Sequence, residues 1–434
     1  MSTARTIKIL VIGSGGREHA ICSTLQRTSG GGGQLFCAPG NAGIAQIAEG
    51  IPIRIDDSGA LLSFAEERQI DLTIVGPEAP LAAGLVDLFA DRRLRIVGPT
   101  SHAARLESSK AFAKAFMDRH SIPTARYRVA TSFEEAEGRL DSGEFGDEAA
   151  GVVIKADGLA AGKGVFVASD RREALNGLNE LKSGVAGVEA ARKIVIEEKL
   201  NGPEVSVLLF SDGKDYRLMP VARDHKRIGE NDAGPNTGGM GSITDVSLIH
   251  PATLDRVIHQ IVEPTLQGCT DEGFPFHGIL FIGLMLTPDG PRVLEYNVRF
   301  GDPETQSILV RLETDLAQIC EAIAERRLGE LNIEWAKGSS ACVVLASRGY
   351  PAKAETGATI HGVERAAERE YVSIFHAATS RSNGEWSTAG GRVLGVTATG
   401  ENLDAALARC YGAVQEIHWD GMQYRRDIGR TLPA

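Results

Sequence analysis

Glu295 and Asn297 lie two residues apart in Leu294-Glu295-Tyr296-Asn297-Val298-Arg299. In a β-strand that spacing sets both oxygens on one face and leaves Leu294, Tyr296 and Val298 to pack inward on the other. A carboxylate and a carboxamide so placed offer hard ligands to a small cation such as Mg²⁺, which leaves its remaining positions to water and phosphate. Arg299 comes next on the same face, with a planar fork suited to a carboxylate or phosphate oxygen. Gly301-Asp302-Pro303 then turns the chain and aims Asp302 and Glu304 back at the same point. Taken alone, such a strand is a solvated sheet face, so its chemistry depends on what the rest of the chain brings to it.

A second stretch brings cations. Val152 to Ala156 and Val165 to Val167 read as strands, joined by Asp157-Gly158-Leu159-Ala160-Ala161-Gly162-Lys163-Gly164. A Walker loop needs one more residue in its spacing, a Ser or Thr where Gly164 stands, and a following helix, so that reading fails. A hairpin of this kind instead folds over a triphosphate, with backbone N–H groups at Gly158, Gly162 and Gly164 and charge from Lys155 and Lys163. Lys110 opens a helix behind Ser108-Ser109, where the helix dipole gives a cation no help, and this points to a bound anion. The strand ending at Leu200 runs into the turn Asn201-Gly202-Pro203, and a strand edge there has free backbone groups able to recognise adenine, with Glu204 beyond it for ribose hydroxyls. Asp224-His225-Lys226-Arg227 and the small-residue run through Asn236-Thr237-Gly238-Gly239 read as a binding loop or lid.

These residues need elements to hold them. Apolar runs at 7–12, 34–37, 71–75 and 95–97 alternate with helix-length segments, which predicts a parallel sheet whose loops gather at the strands' carboxyl ends. The first loop, Gly13-Ser14-Gly15-Gly16-Arg17-Glu18, lacks the third glycine of a dinucleotide fingerprint, and its charged pair suits a smaller phosphorylated ligand. The expected architecture is α/β: a Rossmann-like N-terminal domain over 1–105, a central domain over 106–329 with a glycine-rich flap subdomain at about 126–200, and a smaller α+β domain over 330–434. The 434 residues suit three such units. A net charge of −11 argues against a nucleic-acid or anionic-membrane surface. No apolar run approaches a membrane span of about 18 residues, and six scattered cysteines read as reduced thiols, so the expected setting is the cytoplasm.

The motifs, taken in order, resemble the phosphoribosylamine–glycine ligase family of the ATP-grasp superfamily. They are Gly13 to Ala20, Ala38-Pro39-Gly40-Asn41-Ala42-Gly43, Val75-Gly76-Pro77-Glu78-Ala79-Pro80-Leu81, the 155–164 hairpin, Asp224 to Arg227, Gly234 to Gly241 and Arg299 to Gln306. Ile417-His418-Trp419 and Arg425-Arg426-Asp427 carry the likeness to the C-terminal end. The resemblance implies that ATP, glycine and 5-phosphoribosylamine give glycinamide ribonucleotide, ADP and phosphate in de novo purine synthesis, through a glycyl phosphate. It implies Mg²⁺ at Glu295 and Asn297, with Mn²⁺ able to substitute. Lys110, Lys155, Gly158, Gly162, Lys163 and Gly164 would hold phosphates, Glu197 and Leu200 adenine, and Glu204 ribose. Arg299, Lys155 and Asp224 would be catalytic. Gly15, Gly16, Arg17, Glu18, Asn41, Glu78, Asp224, Lys226, Asn236, Thr237, Gly238, Gly239, Arg299, Asp302 and Glu304 would contact glycine or phosphoribosylamine.

A monomer is expected, with transient contacts to neighbouring purine-pathway enzymes allowed. Unlike the wider superfamily, the strand at 279–286 has no acidic ligand, so a two-metal cage built from protein alone is not expected. Three readings compete. An ATP-grasp carboxylase or amino-acid ligase would change the acid substrate, a nicotinamide-dependent dehydrogenase would leave the lysine hairpin and the metal strand unexplained, and a non-catalytic binding protein would not need Glu295, Asn297, Lys155 and Arg299 together.

Overall fold

A computed structural model describes residues 7–29, 33–160, 164–187 and 190–430. The first five strands, β1 (Lys8–Gly13), β2 (Gln34–Pro39), β3 (Glu49–Gly50), β4 (Leu72–Val75) and β5 (Ile96–Val97), form a parallel sheet in the order β3-β2-β1-β4-β5. β1 is buried from Ile9 onward, as a parallel strand covered on both faces requires. Two-residue β3 is too short to leave a sequence pattern. Past the sheet, Ser109 caps the helix Lys110–Arg119 by accepting the Phe112 N–H at 3.1 Å.

The flap subdomain is an antiparallel sheet of β6 (Tyr127–Ala130), β7 (Val152–Ala156), β8 (Val165–Ala168) and β9 (Ile194–Glu198), with its own core of Ala136, Ile154, Ala174, Leu178 and Ile196. The strand order is β6-β9-β7-β8. The edge expected ahead of Leu200 is therefore not an edge: β9 is interior, and Glu197 is paired in register with Tyr127 on one side and Val153 on the other. Only the chain beyond Glu198 leaves the ladder.

The remaining strands are β10 (Glu204–Asp212), β11 (Tyr216–Leu218), β12 (Ala222–Asp224), β13 (Arg227–Gly229), β14 (Ala233–Asn236), β15 (Gly241–Thr244), β16 (His277–Thr287), β17 (Gly290–Asn297), β18 (Ser339–Ala346), β19 (Thr359–Ile360), β20 (Val372–His376), β21 (Thr379–Ser382), β22 (Glu385–Thr388) and β23 (Arg392–Gly400). One sheet runs β17-β16-β10-β12-β15-β18-β23-β20, with β11 beside β10. The strands of the C-terminal domain continue the central sheet, joined to it where β15 pairs with β18. The polar segment expected to be a loop at 224–242 carries a small hairpin, β13 with β14. Among the described residues no helix is long and apolar enough to cross a membrane.

Candidate active site

β17 has an irregularity that positions the site. Gly283 pairs with Glu295 but its neighbour Leu284 pairs with Val293, so Leu294 is an extra residue, a bulge. Val293, Tyr296 and Val298 face the core at 0–2% exposure. Leu294, expected to pack with them, instead lines a cleft of about 400 Å³. The bulge is the cause: it changes the phase of the alternation, turns the Leu294 side chain into the cleft, and frees its carbonyl to accept a hydrogen bond from Lys155 Nζ at 3.0 Å.

Glu295 and Asn297 line that cleft. Burial pushes the Glu295 carboxyl up, but Lys226, Lys155, Lys110 and Arg299 prevail and hold it below the usual range. Among the described residues Glu295 makes no hydrogen bond and no ion pair within 4 Å, so its ionised oxygens are free to bind a ligand. Asn297 Oδ1 accepts from Arg299 Nη2 at 3.1 Å. No cluster of three or more acidic, histidine or cysteine side chains among the described residues encloses a metal. The donor set therefore fits a divalent cation that completes its shell with water and phosphate.

The opposite wall is cationic. Lys155 Nζ lies 2.8 Å from Glu197 Oε1, and Lys114 Nζ lies 2.9 Å from Glu197 Oε2. Lys114 also donates to Thr124 Oγ1 at 2.8 Å, and Thr124 donates on to the Val293 carbonyl. Burial lowers the Lys114 ammonium to about 8 against the pull of Glu197. Lys110 reaches the Gly158 carbonyl at 3.4 Å, and burial lowers it too despite Glu295. Asp157 ties the hairpin to this helix by accepting from Ser109 Oγ and the Ala111 N–H, at 3.0 and 2.7 Å. Gly164 lines the cleft. Gly162 and Lys163 lie outside the described residues. Leu200 is half-exposed past the end of β9 and away from the cleft lining.

Arg299 sits where the walls meet, 2.9 Å from Glu107 Oε1 and 3.4 Å from Glu78 Oε2. Burial works against its charge, but Glu107 and Glu78 more than offset it and raise its pKa. Glu107 also accepts the Val298 N–H at 2.8 Å, which fixes it to the segment just past β17 that carries Arg299. Arg17 lines the cleft and is aimed by Glu18, which accepts Arg17 Nε through one oxygen and the Gly15 N–H through the other, both at 2.6 Å. The Glu18 carboxyl threads between Gly13 and Gly76, where any side chain would collide with it. Glu18 thus holds the loop together and does not line the cleft, contrary to expectation. Gly15 and Gly16 start the helix Gly16–Thr28 and also lie off the cleft lining.

Asn41 differs from expectation in the same way. Its amide donates to the Ser14, His376 and Ala377 carbonyls, and its oxygen accepts from the Gly43 and Ile44 N–H groups. Its oxygen is spent on its own loop and its amide joins that loop to the end of β20. Beside it, His19 Nδ1 accepts the His376 N–H at 2.8 Å, and burial lowers these imidazoles to about 3 and about 4.

The third side of the cleft is acidic. Glu304, 4% exposed, is pushed up to about 8 by burial and by neighbouring Asp224. Burial also raises Asp224, against the pull of Lys226. Lys226 lies 2.7 Å from Glu204 Oε2 and 3.9 Å from Asp224 Oδ1. Glu204 is therefore held beside the cleft through Lys226 and is not part of its lining. The Lys226 carbonyl accepts from both the Thr237 hydroxyl and N–H, and Thr237 and Gly238 line the cleft while Asn236 stays in β14 opposite Arg227. Gly239, at φ +108°, lets this loop press onto Pro303. Arg392 of β23 closes the corner with bonds to the Asp302 carboxylate at 2.8 Å and to the Gly238 carbonyl.

Sequence reasoning missed Lys114, Glu107 and Arg392. Lys114 had a usable signal, lying one helical turn beyond Lys110. Glu107 and Arg392 had none, because their partners are remote in the chain.

Three family models cover the chain: phosphoribosylglycinamide synthetase N domain at 7–107, ATP-grasp (A) domain at 108–305 and C domain at 340–431. A phosphoribosylamine–glycine ligase of Rhodopirellula baltica is 45% identical over 97% of this chain and 96% of its own. The crystal structure of that enzyme from Thermotoga maritima superposes with a TM-score of 0.83 at 34% identity, covering 97% of this chain and 100% of that one. The biotin carboxylase domain of a Hydrogenobacter thermophilus 2-oxoglutarate carboxylase, at 16% identity, 97% and 92% coverage and a TM-score of 0.71, shares the fold alone. A full-length match at this identity, on a fold whose three parts meet at one lysine- and carboxylate-lined cleft, places the chain in the phosphoribosylamine–glycine ligase family.

Proposed function

We propose that the cleft joins glycine to 5-phosphoribosylamine with ATP, giving glycinamide ribonucleotide, ADP and phosphate in de novo purine synthesis. The observation that carries this reading is the meeting of a lysine wall, a strand with ionised Glu295 beside Asn297, and a buried acidic corner around Arg299. In the first step a glycine carboxylate oxygen attacks the γ-phosphorus and ADP leaves, forming glycyl phosphate. In the second the ribosylamine nitrogen attacks the acyl carbon, phosphate leaves, and the nitrogen gives up a proton.

Lys110 and Lys155, with Gly158, Gly162, Lys163 and Gly164, hold the phosphates and exclude water from the acyl phosphate. Leu200 and the chain past β9 offer backbone groups to adenine, and Glu204 reaches the ribose. Glu295 and Asn297 hold a divalent ion, Mg²⁺ or Mn²⁺, which when bound supplies positive charge against the β- and γ-phosphates. Arg299 stabilises the charge that develops on the transferring phosphoryl group. Asp224 and Glu304 take the amine side, and Arg17, Glu78 and the Thr237–Gly239 loop the phosphoribosyl side. The enzyme acts as a cytoplasmic monomer, open to transient contact with neighbouring pathway enzymes.

The test is ADP release from Mg-ATP with glycine, with phosphoribosylamine formed in situ from ribose 5-phosphate and ammonia. Release that needs both substrates is the expected result. Release driven by bicarbonate without glycine would overturn the substrate assignment and leave only the fold.

A further inference from the structure

Glu197 binds two lysines from different parts of the molecule. Lys155 belongs to β7 of the flap, as Glu197 belongs to β9, whereas Lys114 stands on the helix Lys110–Arg119 outside the flap. All three are nearly sealed from solvent, at 5%, 2% and 2% exposure. Each lysine also has a second partner. Lys155 directs its hydrogen bond to the Leu294 carbonyl, and Glu197 Oε1, although 2.8 Å from the ammonium, accepts no hydrogen bond among the described residues. Lys155 is thus held by the Leu294 carbonyl on one side and by the charge of Glu197 on the other. Lys114 is braced on its other side by Thr124, which is tied to Val293 at the bulge.

We propose that Lys114 is a positioning residue of the phosphoryl-transfer site: it neutralises Glu197, so that the charge of Lys155 remains available to the nucleotide's phosphates. Two ammonium groups and one carboxylate leave one net positive charge. Without Lys114, Glu197 and Lys155 cancel each other, and a polyphosphate must break a buried ion pair to recruit Lys155. Glu197 in turn keeps Lys155 pointed at the cleft while no nucleotide is bound. This rests on the reading of the cleft as an ATP site.

The experiment measures the ADP dissociation constant by calorimetry, independent of turnover, for the wild type and for Lys114→Met, Lys114→Arg, Glu197→Gln and the Lys114→Met/Glu197→Gln pair. Removing one charge at this range is expected to weaken ADP binding roughly tenfold, at an effective dielectric of about 20. Lys114→Arg, which keeps the charge, should stay close to wild type. The double variant should recover most of the loss, because Lys155 then has no anion to cancel it. Glu197→Gln alone should leave ADP affinity intact or stronger while lowering kcat, since Lys155 loses its orientation. A double variant no better than Lys114→Met, or an unchanged Lys114→Met, overturns the proposal.

If Lys114→Met does not fold, the wild type supplies the test. Lys114 faces Glu197 and Lys155, with Asp118 on its own helix and the Tyr127 ring 5.7 Å away, and its ammonium titrates near 8. ADP affinity should fall as pH rises through about 8, and a flat profile from pH 7 to 9.5 overturns the proposal. Wild-type protein that binds no ADP would refute the nucleotide site itself, a separate failure.

Discussion

Glu295 is an ionised carboxylate with four cations around it and no hydrogen-bonding partner among the described residues, an arrangement that leaves its oxygens open to a ligand. Glu295→Gln keeps the shape and removes the charge. It should lower kcat by at least about 10²-fold, because a bound metal's template role is lost, and lower the melting temperature somewhat at neutral pH, because a carboxylate whose folded pKa is depressed stabilises the fold when ionised. Steady-state kinetics beside a thermal melt checks this, and near-normal turnover would remove Glu295 from the metal site. Glu18 and Asn41 show the opposite use of polar groups. Both sit in motifs that look made for ligands, yet their side-chain atoms are spent on the protein itself, Glu18 on Arg17 and the Gly15 N–H, Asn41 on backbone groups. Polarity and loop position were readable in the sequence, but the occupancy of each hydrogen-bonding atom was not.

At the scale of elements, the strand bearing Glu295 and Asn297 and the lysine hairpin were legible because alternation of period two and glycine punctuation are local signals. The bulge was not, since it exists only in the register between β17 and β16. Deleting Leu294 would leave Val293, Tyr296 and Val298 facing the core and Glu295 and Asn297 facing the cleft in unbroken alternation. The deletion should therefore fold, with a cooperative melt, but bind ADP more weakly because Lys155 loses its carbonyl. Failure to fold would show that the bulge is needed by the sheet itself. The interior position of β9 was hidden for the same reason: a strand's neighbours are set by the whole sheet, here β6 and β7. Arg392 meets Asp302 from 90 residues away, a distance no motif spans.

At the scale of the molecule, β15 lies between β12 and β18, and its four residues are buried. A fragment ending at residue 329 would leave β15 as a bare, buried-type edge, and it should associate or precipitate on sizing chromatography where the full chain does not. The N-terminal sheet is held to β20 through His19 and His376, both neutral in the folded state. Their folded values lie below the unfolded 6.5, so the folded state binds fewer protons. The stability they contribute is whole above about pH 6.5 and is lost as pH falls toward 4, roughly 2 kcal/mol per histidine at pH 5. The melting temperature should drop over that window, and His19→Asn, which keeps an acceptor without the titration, should flatten the slope.

Glu197 has a lysine on each side of the boundary between flap and body, and this makes two variables one. Any swing of the flap would pull a carboxylate from Lys114, and a phosphate that drew Lys155 away would change what holds the flap down. Hinge angle and nucleotide occupancy are therefore thermodynamically reciprocal: whatever biases one must bias the other by the same free energy.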